Sequence, residues 1–94
     1  MGITWVLMQA SGIVPTVALT MGVKANTPIG GMTIQLTPNT NQSYSIVNVG
    51  TGILVITDLQ NNLLYQLLPQ SPPQTVTLAF DTPAGSEWLV VGGN

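Results

Sequence analysis

The sequence predicts an all-β domain, a small antiparallel β-sandwich or barrel of seven to eight short strands. Short apolar runs are bounded by Gly, Pro, Asn and Ser clusters, they recur at roughly 8–12-residue spacing, and no stretch carries the 3.6-residue period of an amphipathic helix. With 94 residues the chain is a single domain, 1–94. At that size a single core buries only about 60–65% of the unfolded surface, so contacts with neighbours would add stability.

The first 23 residues carry no charge. A signal peptide would place a basic segment before its apolar core, but the only Lys is Lys24, after it. A spanning helix would need about 20 mostly apolar residues, and Gln9, Ser11, Gly12, Pro15, Thr16 and Thr20 interrupt this stretch. Two strands, 3–9 and 14–23, joined by a turn at 10–12, fit better, with Pro15 near a strand start where a missing N–H is tolerated. Residues 24–31 read as a loop.

Residues 32–37 alternate, with Met32, Ile34 and Leu36 on one face and Thr33, Gln35 and Thr37 on the other. Turn chemistry follows at 38–41. The stretch 42–69 then holds three apolar runs, broken by Gly50-Thr51-Gly52 and by Gln60-Asn61-Asn62, which predicts a three-stranded meander. Its second and third runs, 53–58 and 63–68, are apolar on both pleat faces. A two-layer fold hides one face of each sheet, so the other needs a cover: the N-terminal segment or another subunit. Pro72 and Pro73 mark a connector, 74–80 alternates again, 81–85 turns the chain, and 87–91 is the last strand.

Charged residues make up 4% of the chain, namely Lys24, Asp58, Asp81 and Glu87, for a net charge of −2. One Lys cannot neutralise a phosphate backbone or steer the chain onto anionic lipid, so neither nucleic acid nor membrane is an expected partner. Without His or Cys there is no base to activate a Ser or Thr nucleophile, and the usual zinc ligands are missing. Asp81 and Glu87 are the only carboxylates close in sequence, and Asp81 falls where a turn favours Asp anyway. The expectation is a protein that is not an enzyme, with no catalytic, metal or cofactor site.

The aromatic residues carry the remaining signal. Tyr44 and Phe80 fall at inward positions and read as core. Trp5 and Trp88 lie in terminal strands, where a Trp is either core, an interface anchor or a platform for stacking a sugar. The candidate interface residues are Trp5, Met8, Leu54, Ile56, Leu64 and Trp88, taken from the two-sided strands and the terminal aromatics.

The run 44–48 followed by a Gly turn, 53–57 closing on Asp58, a polar turn, Leu67-Leu68-Pro69, and Thr82 to Gly85 ahead of Trp88 together resemble a small β module of tailed-bacteriophage virion proteins. The resemblance covers 31–91, the core module, and leaves 1–23 as N-terminal interface strands, exchanged between or docked on neighbouring subunits. The sequence departs from the module's pattern at Gln60-Asn61-Asn62, where a Gly is usual, at the stiff Pro72-Pro73, and in its N-terminal strands. The module occurs in capsid decoration (cement) proteins, head fibres and tail-fibre segments, typically as trimers. The resemblance implies a decoration protein on the outer capsid surface of a virion, bound to the major capsid protein as a homo-oligomer, with a trimer favoured. A head-fibre or tail-fibre receptor-binding module and a cell-surface adhesin are the alternative readings.

Overall fold

The computed structural model describes residues 3–81 and 87–93, with nine strands and no helix among them. They are β1 (Thr4–Met8), β2 (Gly12–Ile13), β3 (Thr20–Ala25), β4 (Met32–Gln35), β5 (Ser43–Asn48), β6 (Leu54–Thr57), β7 (Leu63–Leu67), β8 (Thr75–Asp81) and β9 (Glu87–Gly93). A five-stranded sheet has the order β1-β3-β5-β8-β9 and a four-stranded sheet the order β2-β4-β6-β7. Of the two expected alternatives, sandwich or barrel, a closed barrel does not form, and the turn expected at 81–85 lies, beyond Asp81, outside the described residues.

The expectation of antiparallel pairing is corrected. β1, β3 and β5 run parallel, as do β2, β4 and β6, and only β5–β8, β8–β9 and β6–β7 are antiparallel. A parallel pair needs a crossover of about a dozen residues. Here each crossover contains a strand of the other sheet: β2 lies between β1 and β3, and β4 between β3 and β5. The chain therefore winds from sheet to sheet through β6, and most of its turns join the two sheets rather than closing hairpins.

For the same reason the expected meander at 42–69 is only half present. β6 and β7 form a hairpin with a bulge at Ile56/Thr57, but β5 belongs to the other sheet. The expected strand 14–23 begins only at Thr20. Residues 14–19 cross between the sheets, held by Val14 N–H on the Gln35 carbonyl (2.9 Å), a Thr16–Tyr44 hydroxyl pair (2.8 Å) and the Gln42 amide donating to the Ala18 and Leu19 carbonyls. The expected loop at 24–31 starts after Ala25 instead of at Lys24.

Inward residues of both sheets form one hydrophobic cluster. Met21, Val23, Tyr44, Ile46, Val76 and Leu78 come from the five-stranded sheet, and Met32, Ile34, Leu54, Ile56 and Leu67 from the four-stranded one. The predicted alternation of β4 is observed, with Met32 and Ile34 buried.

Asn48 ties the two sheets together at the end of β5. It is buried, and its side-chain amide donates to the carbonyls of Gly52 (2.9 Å) and Leu67 (3.1 Å) while its Oδ1 accepts the Gly50 N–H (3.1 Å). The turn it holds lies flat against residues 27–28, where Thr51 and Gly52 N–H groups donate to the Thr27 carbonyl. A Cβ on Gly50 would collide with the Thr27 backbone, and one on Gly52 with the Pro28 carbonyl, so only glycine allows that approach.

Asn48→Ala removes three hydrogen bonds and leaves buried backbone groups without partners, and should cost about 3 kcal/mol. Gly52→Ala forces backbone apart and should lower stability by a comparable amount. Urea unfolding of the two variants beside the wild type measures both effects.

Candidate interaction surfaces

The six candidate interface residues separate into three groups. Leu54 and Ile56 are 0% exposed and belong to the core, which corrects their assignment to an interface. They are inward because β6 pairs on both sides, with β4 and β7, and turns this face toward the other sheet's side chains. Met8, Leu64 and Trp88 are half-buried and pack against the same core. Trp88 stands between Tyr44 (ring centroids 5.9 Å apart) and Phe80 (5.3 Å, edge to face), so most of its aromatic surface is already used within the chain. Tyr44 is core as expected, and Phe80 is half-buried. Only Trp5 remains largely open, at 51% exposure.

Trp5 lies on β1, an edge strand of the five-stranded sheet, and its register partner on β3 is Gly22. A Cβ built on Gly22 would fall within 2.6 Å of three consecutive atoms of the Trp5 six-membered ring, Cδ2, Cε3 and Cζ3. A point nearly equidistant from three neighbouring ring atoms sits over the ring face, not beyond its edge. The indole therefore lies flat over Gly22 with its opposite face turned outward. The same cross-strand row continues through Ser45 on β5 and Thr77 on β8, whose hydroxyls are 3.2 Å apart. Gly22, Ser45 and Thr77 were not among the sequence candidates. A glycine inside a strand pattern is the signal that could have found the row, because it marks a close approach.

The outer face of the four-stranded sheet is the second surface. β6 contributes Val55, and Ile53 just precedes it. Leu63 starts β7 and Leu68 follows it, while Ile13 stands on β2. Ile13 and Leu63 are 57% and 63% exposed. A shallow groove of about 430 Å³ runs over this face between Ser11, Thr33, Ile53, Val55 and Gln66. The two-sided apolar pattern of 53–58 and 63–68 pointed to this face, but the N-terminal strand does not cover it, because β1 pairs in the other sheet.

A cleft of about 380 Å³ lies between Pro38, Asp58, Gln60, Leu64, Phe80, Glu87 and Trp88. Of its two carboxylates, Asp58 is spoken for by its own turn. Asp58 Oδ2 accepts the Asn62 side-chain amide (3.0 Å), and Oδ1 accepts the backbone N–H groups of Asn62 (2.9 Å) and Gln60 (2.8 Å). Those bonds, the Asn62 side chain first, hold the carboxyl below its ordinary value. Asn61, at φ 66°, completes this turn. Asp81 and Glu87 stand opposite each other in the β8–β9 register. Among the described residues no group of three or more His, Cys, Asp or Glu could hold a metal ion, and no helix is long and apolar enough to cross a membrane.

No family model, no curated protein and no solved structure matches the chain.

Because Asp58 has a lower pKa in the folded protein than the unfolded value of about 3.9, its contribution is fully present above that value. It is lost as pH falls through the folded pKa. The melting temperature of the wild type should therefore drop on acidification through the carboxylate range more than that of Asp58→Asn, and paired thermal melts across that range measure the difference.

Proposed function

We propose that this protein is a non-enzymatic virion structural protein, a decoration protein that binds the outer surface of a bacteriophage capsid as an oligomer and stabilises contacts between capsomers. The observation that supports it best is the outer face of the four-stranded sheet, where Ile13, Ile53, Val55, Leu63 and Leu68 are spread among the uncharged Thr33, Gln35 and Gln66, with no charged residue in the sheet's strands. Several exposed apolar side chains on one uncharged sheet face mark a protein contact. On this reading the two sheets pack as a sandwich, and the uncovered face joins copies around a closed axis. A trimer is the arrangement the virion-module resemblance implies, and cyclic symmetry satisfies every copy's patch at once.

The exposed edge of the five-stranded sheet adds Leu7 on β1 and Ile3 just before it, with Val90 and Val91 on β9 at the opposite edge. These supply surface for a second contact, to the capsid. A low charge content suits permanent contacts, because desolvating a charge at an interface is costly.

Light scattering on the purified protein should give the mass of three chains, and the protein should co-sediment with capsids that lack it. Leu63→Lys combined with Val55→Lys should return the protein to a monomer with an unchanged folded spectrum, since both side chains point away from the core. A wild-type protein that stays monomeric would sink the assembly reading.

A further inference from the structure

We infer that the outer face of the five-stranded sheet binds a neutral carbohydrate chain, with the open face of the Trp5 indole as its stacking platform. This site is distinct from the assembly face and does not depend on the virion reading.

The arrangement of Trp5 and Gly22 carries the inference. A glycine in a strand interior costs roughly 0.5–1 kcal/mol relative to alanine and leaves nothing to pack. Here it gives the ring a flat seat: any side chain at position 22 would strike the six-membered ring. A Trp that anchors a protein interface projects into a pocket of the partner. A Trp laid parallel to a sheet presents a planar, weakly negative face level with the surrounding surface. The polarised C–H groups on one side of a pyranose ring match such a face.

What borders the ring agrees with that ligand. Along its row stand the Ser45 and Thr77 hydroxyls; the outward positions of the flanking rows are Thr20, Ser43 and Ala79 on one side and Leu7, Lys24, Val47 and Thr75 on the other. Hydroxyls donate and accept, as the ring hydroxyls of a sugar do. Lys24 is the only charged side chain among the outward positions of β1, β3 and β5. A neutral polymer therefore fits, whereas stacked bases of a nucleic acid would bring several phosphates that the single Lys24 does not neutralise.

The test is a titration of the intact, isotope-labelled protein with cellohexaose, maltohexaose and N-acetylchitohexaose, with a heparin hexasaccharide as the charged comparison. The Trp5 indole N–H and the amides of Gly22, Ser45 and Thr77 are followed by NMR. At least one neutral hexaose should shift these signals saturably. Trp5→Ala should weaken binding by about tenfold or more, and Thr77→Val, which keeps the ring and the fold, several-fold. Trp5→Tyr should retain most of the binding, so a failure of Trp5→Ala to fold leaves the test intact. The inference is overturned if none of the three neutral hexaoses shifts the signals, if Trp5→Ala binds as the wild type does, or if the heparin fragment binds more tightly. It is equally overturned if dilution alone moves the indole signal, since the occupant is then a second copy of the chain. Loss of the oligomer in Leu63→Lys/Val55→Lys with sugar binding unchanged would separate this site from the assembly face.

Discussion

Everything in this molecule depends on the buried amide of Asn48. A fold whose chain passes repeatedly from one sheet to the other must satisfy backbone polar groups at each passage, where no ladder is available to do so. Asn48 does this at the passage from β5 to β6, receiving one N–H and giving two hydrogens, one of them to the Leu67 carbonyl on β7. A single side chain thus holds the end of one sheet, the glycine turn and a strand of the other sheet. Gly50 and Gly52 are required by the same passage, because the turn rests directly on the backbone of residues 27–28.

The winding path has consequences for the surface. Parallel strands joined through the opposite sheet leave each sheet with two edges, β1 and β9 in one and β2 and β7 in the other. β2 is only two residues long, and the Ser11 hydroxyl accepts the Thr33 N–H (3.0 Å) just before it, which blunts that edge. β1 is longer and carries Ile3, Trp5 and Leu7 on or beside its outward side. With charges at 4% of the chain, electrostatic repulsion does little to protect such an edge. The same scarcity makes the few ionic groups local in effect: Asp58 spends its carboxylate on one hairpin turn.

The two proposed surfaces differ in chemistry as well as position. On the four-stranded sheet, branched aliphatic side chains line and flank a shallow groove, a relief that another protein surface can interlock with. On the five-stranded sheet a flat ring lies in line with a row of hydroxyls, with Leu7 and Lys24 in the next row, so the face offers more hydrogen-bonding groups. One folded domain can carry both because period-two strands separate their inward and outward residues completely, leaving the core untouched by what the outer faces present.

Sequence by itself determined the all-β class, the absence of a helix pattern, the positions of most strands, and which side chains of β4 and most of β8, with Tyr44 of β5, turn inward, since each follows from local alternation and turn residues. It also determined that 53–58 and 63–68 carry more apolar faces than one layer can hide. Only the tertiary structure decided which strands are neighbours. A turn signal reads the same whether the chain folds back on its own sheet or crosses to the other, so parallel pairing, the split of 42–69 and the burial of Leu54 and Ile56 were not legible. The seat of Trp5 over Gly22 was hidden for the same reason: 17 positions separate the two residues in the chain, and nothing local records that β1 and β3 lie side by side in register.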